Sequence, residues 1–176
     1  EDLRAQGFLT EAILNYVALL GWSPRGDIAE QEVFSLQELA KAFDLAGMSK
    51  SPAIFDIEKL THFNAIYLRA MAPEAFADVA RPYIRQAVQL EDISADDIAA
   101  LLQARCEKLT DIPEKVDFFQ TLPEYDAELF TNKKSKTNAE VSKAMLEAAI
   151  PMLGQLPDWT QDAIHDGLVE LAAKLE

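Results

Sequence analysis

Apolar residues recur at three- and four-residue steps along nearly the whole chain, and nothing alternates with period two for long enough to make a strand. Ile13, Leu14, Val17 and Leu20 form the first stripe, with Thr10 placed to cap it and Gly21 to end it. Ser35 and Glu38 have capping-box spacing ahead of Leu36, Leu39, Ala40 and Phe43, and Gly47 closes that helix. Asp56 is expected to cap a longer helix carrying Ile57, Leu60, Phe63, Ile66 and Tyr67. Pro73 suits a first helical turn and Pro82 interrupts the helical pattern after it, so two short helices are expected before Leu90. A helix from Ser94 is predicted to run through Lys108, and another to start at Asp111 and end near Phe119. Residues 122–136 read as a loop with one turn of helix. Thr137 and Glu140 repeat the capping-box spacing ahead of a helix reaching Leu153, and a last helix starts near Asp158 or Thr160. The pattern is all-α, with about nine helices in two packed helical subdomains.

Several kinds of chemistry are excluded. The six glycines stand singly where helices should end, so there is no phosphate-cradling glycine loop. Without strands there is no parallel sheet whose edge could hold a nucleotide. His62 and His165 lack metal-type spacing, so no metal site is expected. Cys106 is the sole cysteine; its apolar setting predicts a small buried hydrophobe, and a cytoplasmic location is the default. No apolar run is long enough to span a membrane. The chain opens at Glu1 and closes at Glu176 without start or stop signals, and both ends are expected to be cut from something longer. No catalytic residue is visible.

The formal net charge of −14 sets a further limit. There are 14 acidic and 8 basic residues through Asp92, and 16 and 8 after it, so the acidity forms no tail. Any nucleic-acid contact must rely on local cations. Arg81 with Arg85, Arg105 with Lys108, and Lys133, Lys134 and Lys136 are the available groups. Trp22, Trp159 and Tyr67 could stack on bases, but their helical apolar positions predict core packing.

Three segments together resemble the bacterial glutamyl-tRNA synthetase family. They are Leu14-Asn15-Tyr16-Val17-Ala18-Leu19-Leu20-Gly21-Trp22-Ser23, then Ser49-Lys50-Ser51-Pro52-Ala53-Ile54-Phe55-Asp56, then Asn132-Lys133-Lys134. Met48-Ser49-Lys50-Ser51 alone looks like the ATP-handling loop of class I aminoacyl-tRNA synthetases. The longer match places it instead in the region after the catalytic Rossmann domain, which is not in this chain. The resemblance implies a linking domain over 1–71, leaning on the inside of the tRNA bend, and an anticodon-binding helical bundle over 72–176 whose second subdomain is truncated. It implies tRNA(Glu) and the protein's own N-terminal catalytic domain as partners of a monomer. ATP and magnesium would belong to that catalytic domain, with no cofactor here. The competing reading is an acidic helical protein-interaction module that binds no RNA.

The resemblance also implies a role for Arg105, at the predicted end of the helix before 111–115. It would read the third anticodon base, cytosine in glutamate tRNAs and guanine in glutamine tRNAs. A guanidinium only donates hydrogen bonds; cytosine offers O2 and N3 as acceptors, whereas the guanine edge presents N–H donors. A surface pairing of Arg105 with Glu107 or Asp111 is the plainer expectation. Lys108, Lys133, Lys134, Lys136, Arg69 and Lys50 are candidate contacts to the tRNA backbone, with a solvated surface or loop as the alternative for each.

Overall fold

The computed structural model describes residues 2–49, 52–89 and 91–175, with the Leu175 side chain left aside; Lys50 lies outside the described residues. Eight α-helices account for most of them, joined by 3-10 turns, and the described residues contain only two isolated antiparallel bridges, Trp22–Met48 and Asn132–Thr137. The expected all-α class holds.

Helix α1 (Thr10–Gly21) starts one residue earlier than expected: Leu9 is its N-cap, and Thr10 is its first residue. Helix α2 (Leu36–Ala42) has the full capping box, with Ser35 Oγ accepting from Glu38 N (3.2 Å) and Glu38 Oε2 from Ser35 N (2.7 Å). It ends before Phe43 and not at Gly47, which closes a separate 3-10 turn capped by Asp44. Helix α3 (Ile57–Ala70) is capped by Asp56, whose Oδ1 accepts from the amides of Glu58 (2.9 Å) and Lys59 (3.2 Å).

Pro82 does not split the next segment, which is one helix, α4 (Pro73–Ala87). Phe76, Ala77, Ala80 and Ile84 keep their spacing across the proline and bury a continuous face. A mid-helix proline costs about 3 kcal/mol. Burying one Phe or Ile returns about 1.5–3 kcal/mol, so two such anchors outweigh the break.

Helix α5 (Ala95–Leu102) stops well short of Lys108. A 3-10 turn (Gln103–Arg105) follows, and Cys106 is extended. Long-range hydrogen bonds to α3 and its C-terminal end, rather than the local apolar pattern, end this helix. Helix α6 (Ile112–Val116) begins where expected, whereas α7 (Ala139–Gly154) is capped by Asn138, not by a Thr137–Glu140 box. Thr137 is instead paired backbone to backbone with Asn132 (3.1 and 3.2 Å). Thr160 caps α8 (Gln161–Leu175) through a bond from Ala163 N (3.3 Å).

The chain divides into two compact units, Glu1–Leu122 and Pro123–Glu176. Three apolar clusters make the core of the first. One gathers Phe8, Tyr16, Leu60 and Phe63; a second Trp22, Phe34 and Leu39; the largest runs from Leu68 through α4 and α5 to Val116. In the second unit α7 packs on α8, and none of its described residues is fully buried.

Candidate nucleic-acid interface

Arg105 ends the 3-10 turn after α5 and is exposed. Among the described residues no hydrogen bond or ion pair engages its guanidinium, so the plainer expectation of a pairing with Glu107 or Asp111 fails. Asp111 is taken by Lys108, at 3.2 Å. The Arg105 backbone, by contrast, is held: its carbonyl accepts from Lys115 Nζ (3.2 Å). Two residues earlier, Gln103 Nε2 donates to the carbonyls of Leu68 (3.1 Å) and Met71 (2.8 Å) at the end of α3.

Beside this turn lies a groove of about 460 Å³ whose lining includes Thr61, His62, Arg69, Glu107 and Lys108. The structure thus brings Arg69 and Lys108 to one surface, with Glu58 also on its wall. Cys106, between Arg105 and Glu107 in the chain, is 1% exposed and belongs to the largest apolar cluster. Burial pushes its thiol up to about 11, and the charges of Lys115 and Arg69 pull the other way. A thiol this protonated is a packing group and a poor nucleophile.

Lys133, Lys134 and Lys136 form a separate group in the second unit. Asn132 Oδ1 accepts from the amides of Lys134 (2.9 Å) and Ser135 (3.2 Å), and Lys136 takes a positive φ of 53° to close the turn. All three lysines are exposed. Other cations are engaged in the fold. Arg81 bridges Asp78 (3.0 Å) and Asp96 (2.8 Å), and Arg85 donates to the carbonyls of Val88 and Ile93.

Sequence reasoning missed Asn64. It is fully buried between Leu60 and Leu68 on the inner stripe of α3, and both of its amide atoms are bonded. The visible signal was a polar residue four positions from a leucine on either side of an apolar face. No group of three or more potential metal ligands is gathered among the described residues.

Residues 75–176 match the family model described as "Anticodon binding domain", and residues 1–62 match that of the class I (E and Q) tRNA synthetase catalytic domain. Curated relatives include the glutamate–tRNA ligase of Clostridium tetani, 44% identical over all of this chain and 35% of the relative. The Clostridium novyi ligase is 41% identical over 100% of this chain and 36% of its own length. A crystal structure of a glutamate tRNA ligase from Elizabethkingia meningosepticum in complex with its amino acid superposes with a TM-score of 0.76 at 29% identity, over 96% of this chain and 32% of that one. A second, from Elizabethkingia anophelis, gives 0.75 at 31%, with the same coverage. The class is therefore an all-helical module similar to one portion of class I glutamate–tRNA ligases. The chain belongs to the anticodon-binding-domain family. It spans about a third of the length of the curated relatives it matches.

Proposed function

We propose that this chain recognises and orients the anticodon arm of tRNA(Glu) within a cytoplasmic, monomeric glutamate–tRNA ligase, and that it holds no catalytic site itself. The whole protein would join glutamate to its tRNA using ATP and magnesium bound in an N-terminal catalytic domain. Residues 1–71 would link that domain to the anticodon-binding bundle of 72–176. The observation that carries this reading is Arg105, an exposed guanidinium with no described partner on a backbone fixed at either side. Among the described residues Arg69, Lys133, Lys134 and Lys136 likewise show no ion pair; what sets Arg105 apart is the backbone held beneath it by Lys115 and, two residues earlier, by Gln103. Its donors would meet cytosine O2 and N3, and would face donors on guanine. Leaving such groups unpaired costs about 1–3 kcal/mol. Arg69, Lys108, Lys133, Lys134, Lys136 and Lys50 would add phosphate contacts that set position and not base choice.

The test is binding of anticodon stem-loop RNA hairpins carrying cytosine or guanine at the third anticodon position. The parent chain is expected to prefer cytosine, and Arg105→Gln, which can donate and accept, to lose most of that preference, about 1–3 kcal/mol. An unchanged preference in Arg105→Gln refutes the base assignment. No binding to either hairpin at low salt, where phosphate contacts are strongest, would leave the acidic protein-interaction reading in its place.

A further inference from the structure

Residues 6–9 are stitched to residues 107–110, far away in sequence. Leu109 N donates to Gly7 O (3.1 Å), and Thr110 Oγ1 donates to Gln6 O (2.8 Å) across 104 positions. Asn64 joins the same two segments from α3: its Oδ1 accepts from Leu9 N (2.7 Å) and its Nδ2 donates to Glu107 O (2.6 Å). Gly7 makes the close approach possible. Its φ is +87°, and a Cβ there would lie 2.6 Å from Thr110 N. This joint begins two residues after Arg105, and the Gln103 clamp on Leu68 and Met71 lies two residues before it.

We infer that Asn64 and Gln103 are positioning residues that make Arg105 selective. This rests on the base-reading role proposed for Arg105. Discrimination by a donor-only group needs more than a good fit to cytosine. Guanine carries acceptors at O6 and N7 as well as its donors. A guanidinium on a yielding loop could shift toward those acceptors and escape the mismatch. Held from both sides, the backbone denies it that movement, so the donor-to-donor encounter stands and the wrong base is rejected. Fixing the loop before binding also spares the right base the cost of ordering it. The selectivity would reside in hydrogen bonds that never touch RNA.

The experiment measures the ratio of hairpin dissociation constants, guanine over cytosine, for the 176-residue chain. The variants are Gln103→Met, Asn64→Ser and each of these in an Arg105→Gln background, with thermal unfolding followed in parallel. Gln103→Met and Asn64→Ser are each expected to lower the ratio by roughly tenfold, mainly through tighter binding of the guanine hairpin. Combined with Arg105→Gln they should lower it no further, because all act through one group. Gln103 is half-exposed, so its variant keeps the test decisive if Asn64→Ser unfolds. A folded Gln103→Met chain that weakens both hairpins equally, or neither, overturns the inference while leaving Arg105 as reader. A ratio that Arg105→Gln itself does not change overturns the base reading, and the inference with it.

Discussion

Cys106 shows how a single side chain reports on its surroundings. Its thiol is buried one residue after Arg105, with Sγ 3.5 Å from the Lys108 carbonyl. Burial raises its pKa from an ordinary value of 9.0 to about 11 in the folded chain. An acid whose folded pKa is raised contributes its full stability below the unfolded value and loses it as pH climbs toward the folded one. The stabilising contribution of this thiol should therefore be intact below about pH 9 and fall between pH 9 and 11. Tyr67, raised by burial while its hydroxyl donates to Phe34 O (2.6 Å), adds to the same alkaline loss. The difference between parent and Cys106→Ala isolates the thiol. Urea titrations at several pH values should show the two curves converging above pH 9, and parallel curves would refute the burial assignment. At neutral pH the thiol should resist iodoacetamide until urea opens the chain.

At the scale of elements, the features legible in sequence were those whose partners lie within one helical turn. The Ser35–Glu38 box and the Asp56 cap were visible because donor and acceptor are neighbours in sequence, and the start of α6 because Pro113 suits a first turn. The end of α5 was not. Its apolar pattern runs on to Lys108, but Gln103 and Asn64 draw the following backbone onto α3 by bonds spanning 32 to 43 residues. Pro82 misled for the opposite reason, since local strain was weighed without the burial of Phe76 and Ile84 that outweighs it. The cations of the candidate site were legible as residues, but their availability depended on long-range pairing: Arg81 is consumed by Asp96, while Arg105 is not. Helix α2 gives a clean test of the local rule, because seven residues are too few to persist without a cap. Ser35→Ala should cost about 1 kcal/mol in urea unfolding. The Glu38 carboxyl, held below its usual value chiefly by the Ser35 amide, should stabilise at neutral pH and cease to do so as acid protonates it. An unchanged midpoint in the alanine variant would mean that packing of Leu39 alone holds the helix.

Across the whole molecule, burial is unevenly shared, and the two units should differ in stability accordingly. The first holds three clusters whose central side chains, among them Phe63, Phe76, Leu60 and Ile84, are at most 1% exposed. The second leaves Trp159, expected to pack in the core, 69% exposed, presents Leu129 and Ile150 at 74% and 70%, and has no fully buried described residue. Hydrophobic stabilisation scales with the apolar area removed from water, whereas the entropy cost of ordering a residue is much the same in either unit. Helices α7 and α8 must therefore open at a lower free energy than α3 and α4. Amide hydrogen exchange should show α7 and α8 losing protection first, with α3 and α4 exchanging only through global unfolding. Equal protection would show that the exposed apolar side chains of the second unit are covered in solution. The slow-exchanging set should extend to the amides of Leu9 and Leu109, since both point into the joint at Asn64 and Gly7. Those two amides would protect together and be lost together in Asn64→Ser, which separates a rigid platform under Arg105 from a loop that merely rests there.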